Sequence, residues 1–493
     1  MKKIRLLAYA LITSLTILSC RDAIEIVQDG ELTEEVAIQN TTDLRGFLNG
    51  NVYGSMNTQN EIWLSSVFTD ETGIAPSNSG WYFSEFRYIL ASDNGYVAGA
   101  WLSHYTTINR VNRMLRAAAK ITPAAGDETL KYNSVIAEAR AIRALAYLQL
   151  QSYFTTDMAD DNALGVILLT DVPELDTKLP RAKNGEIYAL MEADLTFAFD
   201  NIWENEPGNE RTYKYVTRAM INAARARMFA YREKYALAKQ YAQWVVTNGP
   251  ALVPAASNTT NNPYRTMWAD ATQGEIIFAL AQPSTLGTGG IARFWTTNTT
   301  DINGSPLLKM GMNLYNLLGS VPNDIRKTAF VDPTSKESES LIIIDKYPGK
   351  GNTPLRNDIK VFRTSEMYFI LAEAAVAEGD LATAATLITA VRLARRTFPT
   401  TVVPVPTYTD AAMALRDILK ERRIELSFEG HRYVDLRRLG AAAGVSIDRS
   451  PLDDGGAGLN APLTLPITDY RWTFPIPSLE VLGNPGIVQN PGY

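Results

Sequence analysis

The chain has 493 residues, 46% of them hydrophobic, and its 47 Lys and Arg against 53 Asp and Glu give a formal net charge of −6. That length buries a sizeable core and exceeds one ordinary domain, while the acidic balance excludes the basic footprint selected by nucleic acid or anionic lipid. One cysteine (Cys20) and two histidines (His104 and His431) exclude an internal disulfide and a Cys/His zinc site, whereas 8 Trp, 23 Tyr and 16 Phe favour recognition by ring stacking.

The first element is a leader. Met1-Lys-Lys-Ile-Arg is a short basic start, and Leu6 to Leu18 is an apolar run broken by Thr13, Ser14 and Thr16. A bilayer span takes about 20 apolar residues, so this run reads as a secretory signal over 1–19. Ile-Leu-Ser-Cys at its end resembles a bacterial lipoprotein processing site, with Cys20 lipidated and becoming the mature N-terminus. Cysteine-nucleophile chemistry is excluded with it, since this is the one thiol. Residues 20–45 are polar and acidic and read as a tether, and 46–493 as a single globular domain.

Glu61 to Phe68 is apolar and leads into Thr69-Asp-Glu-Thr-Gly. The loop after it, Asn78-Ser-Gly-Trp-Tyr-Phe-Ser-Glu-Phe-Arg-Tyr, crowds five aromatic rings into eight residues beside small polar groups. Ring faces accept the CH faces of sugars, and amides and hydroxyls orient them, so Trp81, Tyr82 and Asn78 are candidate ligand contacts. The competing reading is an aromatic cluster packed in the core. Asp70 and Glu71, just upstream, are the first carboxylates to test for glycosidase chemistry.

From Trp101 the pattern turns helical. Trp101, Tyr105, Ile108, Val111 and Asn112 share one face, Pro123-Ala-Ala-Gly-Asp breaks it, and Val135, Ala139, Ile142, Ala146 and Gln149 mark a second helix to Phe154. Gly165-Val-Ile-Leu-Leu-Thr is strand-like, and a helix is predicted from near Asn184 to Asn201. Val216 to Val246 is an alanine-rich helical hairpin with its break at Arg232-Glu-Lys. Helical repeats are thus expected over about 98–247 and again over 363–440, with loop-rich, ligand-bearing parts over about 60–97 and 248–362.

The 248–362 insertion is dominated by Gly, Asn, Thr and Pro. Glu275-Ile-Ile-Phe-Ala-Leu and Leu341-Ile-Ile-Ile-Asp-Lys-Tyr are its predicted strands. Between them lies Arg293-Phe-Trp-Thr-Thr-Asn-Thr-Thr-Asp-Ile-Asn. A tryptophan among polar residues is harder to assign to a core than one in a helix, so Phe294, Trp295 and Asn298 form the second candidate platform.

The second hairpin runs from Thr364 to Arg396. It breaks at Gly379-Asp380, where a left-handed helix end suits glycine. Alanine-rich helix–turn–helix units of this size look like tetratricopeptide repeats. A further helix, roughly Asp410 to Glu429, buries Leu415, Ile418 and Leu419. Helical steps bring Arg422 and Glu425 onto the same face, where buried charges need partners; Asp435, Arg432 and Arg437 are the nearest in sequence. The tail, 445–493, is rich in Pro and Gly and is expected to wrap a folded body. Gly287-Thr-Gly-Gly-Ile-Ala has the spacing of a dinucleotide loop but no helix after it, and Asp157 to Leu168 lacks the turn glycine and closing Glu of a calcium loop. Asp453-Asp-Gly-Gly-Ala-Gly reads as a solvated turn, with a cation site as the alternative. No metal or cofactor site is expected.

Glu421-Arg-Arg-Ile-Glu-Leu-Ser-Phe-Glu-Gly-His-Arg-Tyr-Val-Asp-Leu-Arg-Arg-Leu resembles the C-terminal helix signature of the SusD/RagB family, and Phe474-Pro-Ile-Pro-Ser-Leu-Glu…Asn484-Pro…Gln489-Asn-Pro-Gly-Tyr493 resembles its terminal motif. The resemblance extends to the lipoprotein start, the Trp101…Tyr105…Asn112 helix and the Gly165-Val-Ile-Leu segment before Arg181. It implies a mostly α-helical protein with four tetratricopeptide-like helix pairs, a loop-rich insertion and few short strands. It also implies a non-enzymatic, lipid-anchored glycan-binding protein of the bacterial outer-membrane surface, which passes oligosaccharide to a SusC-like TonB-dependent transporter. A RagB-like peptide receptor and a surface glycoside hydrolase are the alternatives.

Overall fold

The computed structural model describes residues 37–174, 176–207, 211–256, 262–282, 289–296, 306–351, 353–397 and 402–493. The predicted leader, Cys20 and most of the tether lie outside them, as does Asn298.

The fold is mostly helical. Helix α1 (Thr41–Phe47) is capped by the Asn40 side chain and continues as a π-helical turn, Leu48–Tyr53. Helix α2 (Gln59–Phe68) is buried almost throughout and ends before strand β1 (Thr72–Ile74). A single turn, α3 (Phe83–Phe86), lies within the aromatic stretch 78–88. The long helices α4 (Gly95–Ala118) and α5 (Asp127–Phe154) form a hairpin. Asn94 starts α4 by accepting from the Tyr96 and Val97 amides, a cap worth about 1 kcal/mol.

Strands β2 (Leu164–Ile167) and β3 (Arg181–Lys183) pair antiparallel and lead into α6 (Asn184–Asn201), which packs on α5. Helices α7 (Arg218–Tyr231) and α8 (Tyr235–Asn248) form the alanine-rich hairpin. In the insertion come α9 (Pro263–Trp268), β4 (Ile276–Leu280), β5 (Leu308–Met310), α10 (Met312–Gly319), α11 (Ile325–Phe330) and β6 (Ile359–Arg363). The second hairpin is α12 (Thr364–Ala377) and α13 (Leu381–Ala394), joined through Gly379 at φ +79°. Helices α14 (Ala411–Leu426), α15 (Arg432–Ala443) and the short α16 (Ser478–Gly483) complete the order.

Four helix pairs, α4–α5, α7–α8, α12–α13 and α14–α15, form the scaffold, and α8 packs on α12 to join the two repeat regions. Small side chains allow that closeness. Ala372, Ala375, Ala384, Ala385 and Ala414 are buried around Phe369, Ile388, Val391 and Ile418, in a core shared by α12, α13 and α14.

The insertion is more regular than its composition predicts. Among the described residues it holds three α-helices, and the partner of β4 is β6, with Ile276 opposite Arg363 and Leu280 opposite Ile359. The expected strand at 341–347 is extended chain with only single bridges, Leu341 to Lys336 and Ile344 to Val331. Ile342, Ile343, Ile344 and Tyr347 are nevertheless buried. The apolar run therefore marks burial correctly and pairing incorrectly: an apolar run reports what is covered, not whether a strand lies alongside.

The tail is stitched to the scaffold by backbone bonds, Phe474 N–H to Tyr153 O (2.8 Å) and Ser478 N–H to Ser92 O (2.8 Å). Arg449 gathers loop ends. It donates to the carbonyls of Val67 (2.8 Å), Phe68 (2.9 Å) and Thr69 (2.7 Å) at the C-terminal end of α2, and to Phe86 O near the end of the aromatic loop. A cation on unpaired helix carbonyls is favourable. The tail thereby holds both ends of the loop that carries the candidate rings.

Candidate functional site

Pairing of β1 with β5, Thr72 opposite Met310 and Ile74 opposite Leu308, brings two distant stretches together. One is the 75–88 loop and the other is the 289–296 turn. Leu307 O ties them by accepting from the Ala75 amide (3.2 Å) and from Asn78 Nδ2 (2.8 Å). The turn itself presses close to its support: a Cβ on Gly290 would lie 1.9 Å from Leu355 O, so glycine is required there.

Trp81 stands at the tip of the loop and is 40% exposed. Its ring rests on Phe294, with centroids 5.6 Å apart, and the Arg293 guanidinium lies 6.0 Å from the Trp81 ring and 5.5 Å from that of Phe294. Phe294 is buried and held edge-on by Trp63 (4.7 Å) and Tyr82 (5.4 Å). Tyr82 is buried too, and stacks on half-buried Tyr96 at 4.2 Å and 18°. An open depression of about 320 Å³ runs beside these rings, with Ser79, Ser84 and Glu85 on its walls. It offers a flat ring face fixed from below, with hydroxyls and a carboxylate nearby. That arrangement can hold the apolar face of a polyhydroxylated ring.

The structure thus joins the two predicted platforms through Trp81 and Phe294, but it gives most of their members supporting places. Asn78 spends its amide inside the loop: Nδ2 donates to Trp81 O (3.0 Å) and Leu307 O, and Oδ1 accepts from Gly80 N–H (2.9 Å). It is a clasp. Tyr82, at φ +62°, supports the patch from within, and Phe294 is its floor. Trp295 contradicts the expectation that it reaches ligand. It is fully buried against Tyr347 (5.9 Å) and Phe428 (5.4 Å), and its carbonyl accepts from the Ile344 amide (3.2 Å). Tyr96 and Arg293 were missed. Arg293 was legible, since it directly precedes Phe294; Tyr96 opens a helix and carried no signal.

Asp70 and Glu71 are not an accessible pair. Asp70 accepts two hydrogen bonds from Arg432 (2.8 Å each) and one from the Asp448 amide (3.0 Å). Burial would raise its pKa, but the Arg423 and Arg432 charges and these bonds hold its carboxyl well below the usual range. Burial, with the charge of Asp70 next to it, pushes Glu71 up to about 7. Both side chains are sealed, and Glu71 accepts from the Phe428 amide (3.2 Å).

The charged pair on α14 is likewise internal. Arg422 donates to Asp435 at 2.7 Å, the expected partner. Glu425 takes others: Arg363 (2.8 Å), Arg395 (2.8 and 2.9 Å), Arg326 (3.2 Å) and the Tyr264 hydroxyl (3.1 Å). Arg432 goes to Asp70, and Arg437 donates to the Ser152 and Thr155 carbonyls. Asp453, in the acidic turn, is buried and accepts from the Met312 and Ser450 amides. Among the described residues no cluster of three or more His, Cys, Asp or Glu could hold a metal ion.

Residues 324–493 match the sequence model of the SusD family. A SusD-like protein P2 of Formosa agariphila is 24% identical, each chain covered in full. The crystal structure of a putative sugar binding protein from Bacteroides vulgatus superposes with a TM-score of 0.76 at 25% identity, covering 93% of this chain and 99% of that one. A laminarin binding SusD-like protein superposes with a TM-score of 0.67 at 22% identity, covering 92% and 100%. The matched span holds α12 to α15 and the arginines of the network around Glu425, but not Glu275, Asp70 or the ring patch around Trp81.

Proposed function

The chain is a SusD/RagB family member, a family of binding proteins rather than catalysts, and from that premise we propose that it captures oligosaccharide at the bacterial surface. The observation that carries the reading is the Trp81 ring, exposed at a loop tip and propped on the buried Phe294. Its fixed orientation removes much of the entropy of ordering it on binding. The glycan relatives in crystal form point to the same ligand class.

In this reading Cys20 carries the lipid that holds the chain at the outer membrane, and several acyl chains on one residue give stable anchoring. The helix pairs are a rigid frame. The ring patch loads glycan and hands it, unaltered, to a SusC-like TonB-dependent transporter. A peptide ligand of the RagB kind would call for charged groups across the face, and here Arg293 and Glu85 stand at its edges.

Calorimetry of the lipid-free chain against a panel of neutral oligosaccharides and short peptides tests the proposal. Binding of a glycan and of no peptide is expected, with the glycan recovered at its original mass. Binding confined to peptides, or recovery of cleaved glycan, overturns it.

A further inference from the structure

A second pocket lies away from the ring patch, between the π-helical turn, the segment before α7 and the end of β4. It encloses about 310 Å³, within the roughly 300–1,000 Å³ range of small-molecule sites. Its walls are the rings of Tyr53 and Tyr215, the Met56 thioether and Leu280; Asn57 and Gln282 stand at its edge. We propose that this pocket binds the end unit of a neutral saccharide, as a second subsite independent of Trp81; the inference rests on the glycan-binding reading above.

Three observations support it. The walls are pre-organised. Tyr53 is locked at its hydroxyl, which donates to Glu138 (2.6 Å) and accepts from the Val216 amide (3.0 Å), and Tyr215 packs edge-on to it at 5.7 Å and 89°. A π-helical turn is uncommon and costs helix geometry; such turns occur frequently at functional sites, and this one, Leu48–Tyr53, supplies Tyr53 and Asn49 to the wall.

The polar groups also select. Asn49, Asn57 and Gln282 are amides, which both donate and accept, as sugar hydroxyls do. The Asn49 and Gln282 side chains make no hydrogen bond among the described residues. Finally, the pocket is electrically balanced. Among the described residues Lys214 is the one charged side chain in its wall, and its ammonium lies 3.1 Å from the Asp358 carboxylate. A charged ligand would meet no free counter-charge there, whereas a neutral polyol loses little on leaving water.

The Met56 methyl group reports occupancy. In protein labelled with ¹³C at the methionine methyls, its signal is assigned among the 12 methionines by Met56→Leu. The calorimetry panel, including laminaritriose and maltotriose, is then titrated into the parent, Trp81→Ala, Tyr215→Ala and Ala281→Trp. Ala281→Trp fills the pocket from an exposed position and leaves the core untouched. A neutral trisaccharide is expected to shift the Met56 signal saturably, with the same midpoint in Trp81→Ala and a midpoint raised about ten-fold or more in the two pocket variants. A still Met56 signal while a glycan binds through Trp81 overturns the second subsite and leaves the proposed function standing. A Met56 response to peptides instead of sugars overturns the assigned ligand class. Silence in both assays overturns both proposals.

Discussion

Two tryptophans that look alike in sequence have opposite fates. Trp81 and Trp295 each sit among small polar residues, yet one is exposed and the other sealed. What separates them is distant: Tyr347 and Phe428 close over Trp295, and no local pattern announces them. The aromatic loop was legible as a cluster; which ring faces water was not. Replacing Trp295 by Ala is therefore expected to cost about 3–5 kcal/mol of stability, read by urea unfolding, as for large-to-small changes in a core. Trp81→Ala should change stability by less than about 0.5 kcal/mol, the usual range for a surface position. Glu71 gives a prediction with a sign. Its carboxyl is raised to about 7 in the folded chain, so the folded state holds a proton that the unfolded state releases near pH 4.5. Stability from this group is full below about pH 4.5 and is lost as pH rises to about 7, by on the order of 3 kcal/mol at 1.36 kcal/mol per unit. Glu71→Gln should flatten that part of the pH–stability curve; an unchanged slope between pH 5 and 7.5 would refute the assignment.

Helix α14 joins the scaffold to the insertion through charge rather than through apolar contact alone. Glu425 gathers Arg326, Arg363 and Arg395, and Glu275, just before β4, shares Arg363 (2.7 Å) and Arg395 (2.8 and 2.9 Å). The carboxyl of Glu425 is held well below its ordinary range: burial opposes this, and the Arg395 and Arg363 charges outweigh it. Sequence periodicity showed that Arg422 and Glu425 face inward and so need partners. It could name only near ones, and the real partners of Glu425 come from β6, from α11 and from the residue that caps α13. Breaking a buried ion network by removing one member leaves the others uncompensated, so Glu425→Ala should destabilise by about 3–5 kcal/mol. Chemical denaturation checks this, and a loss under about 1 kcal/mol would mean that water reaches the network. The repeats were easier to read, because alanine spacing and Gly379 are local signals. The strand predicted at 341–347 failed for the converse reason: β pairing depends on a partner elsewhere in the chain.

The molecule is a helical frame whose tail and insertion hold the Trp81 ring outward over buried ones. The frame was legible from periodicity and from the family signature in 421–439, and the ligand face was not, since the features that mark the family lie in the scaffold. Loops that carry binding groups vary without disturbing the helices beneath. If Cys20 carries the anchor as proposed, Cys20→Ala should move the protein out of the outer-membrane fraction on cell fractionation, and retention there would refute lipidation at that residue. The central claim is that an exposed ring holds the ligand and does no chemistry on it. The most direct test is the effect of Trp81→Ala on glycan affinity with the second subsite filled by Ala281→Trp in both proteins, by calorimetry on proteins of equal thermal stability. The account predicts affinity weaker by about ten-fold or more, roughly the 1.4 kcal/mol expected from losing one stacked ring. Unchanged affinity on adding Trp81→Ala would contradict it.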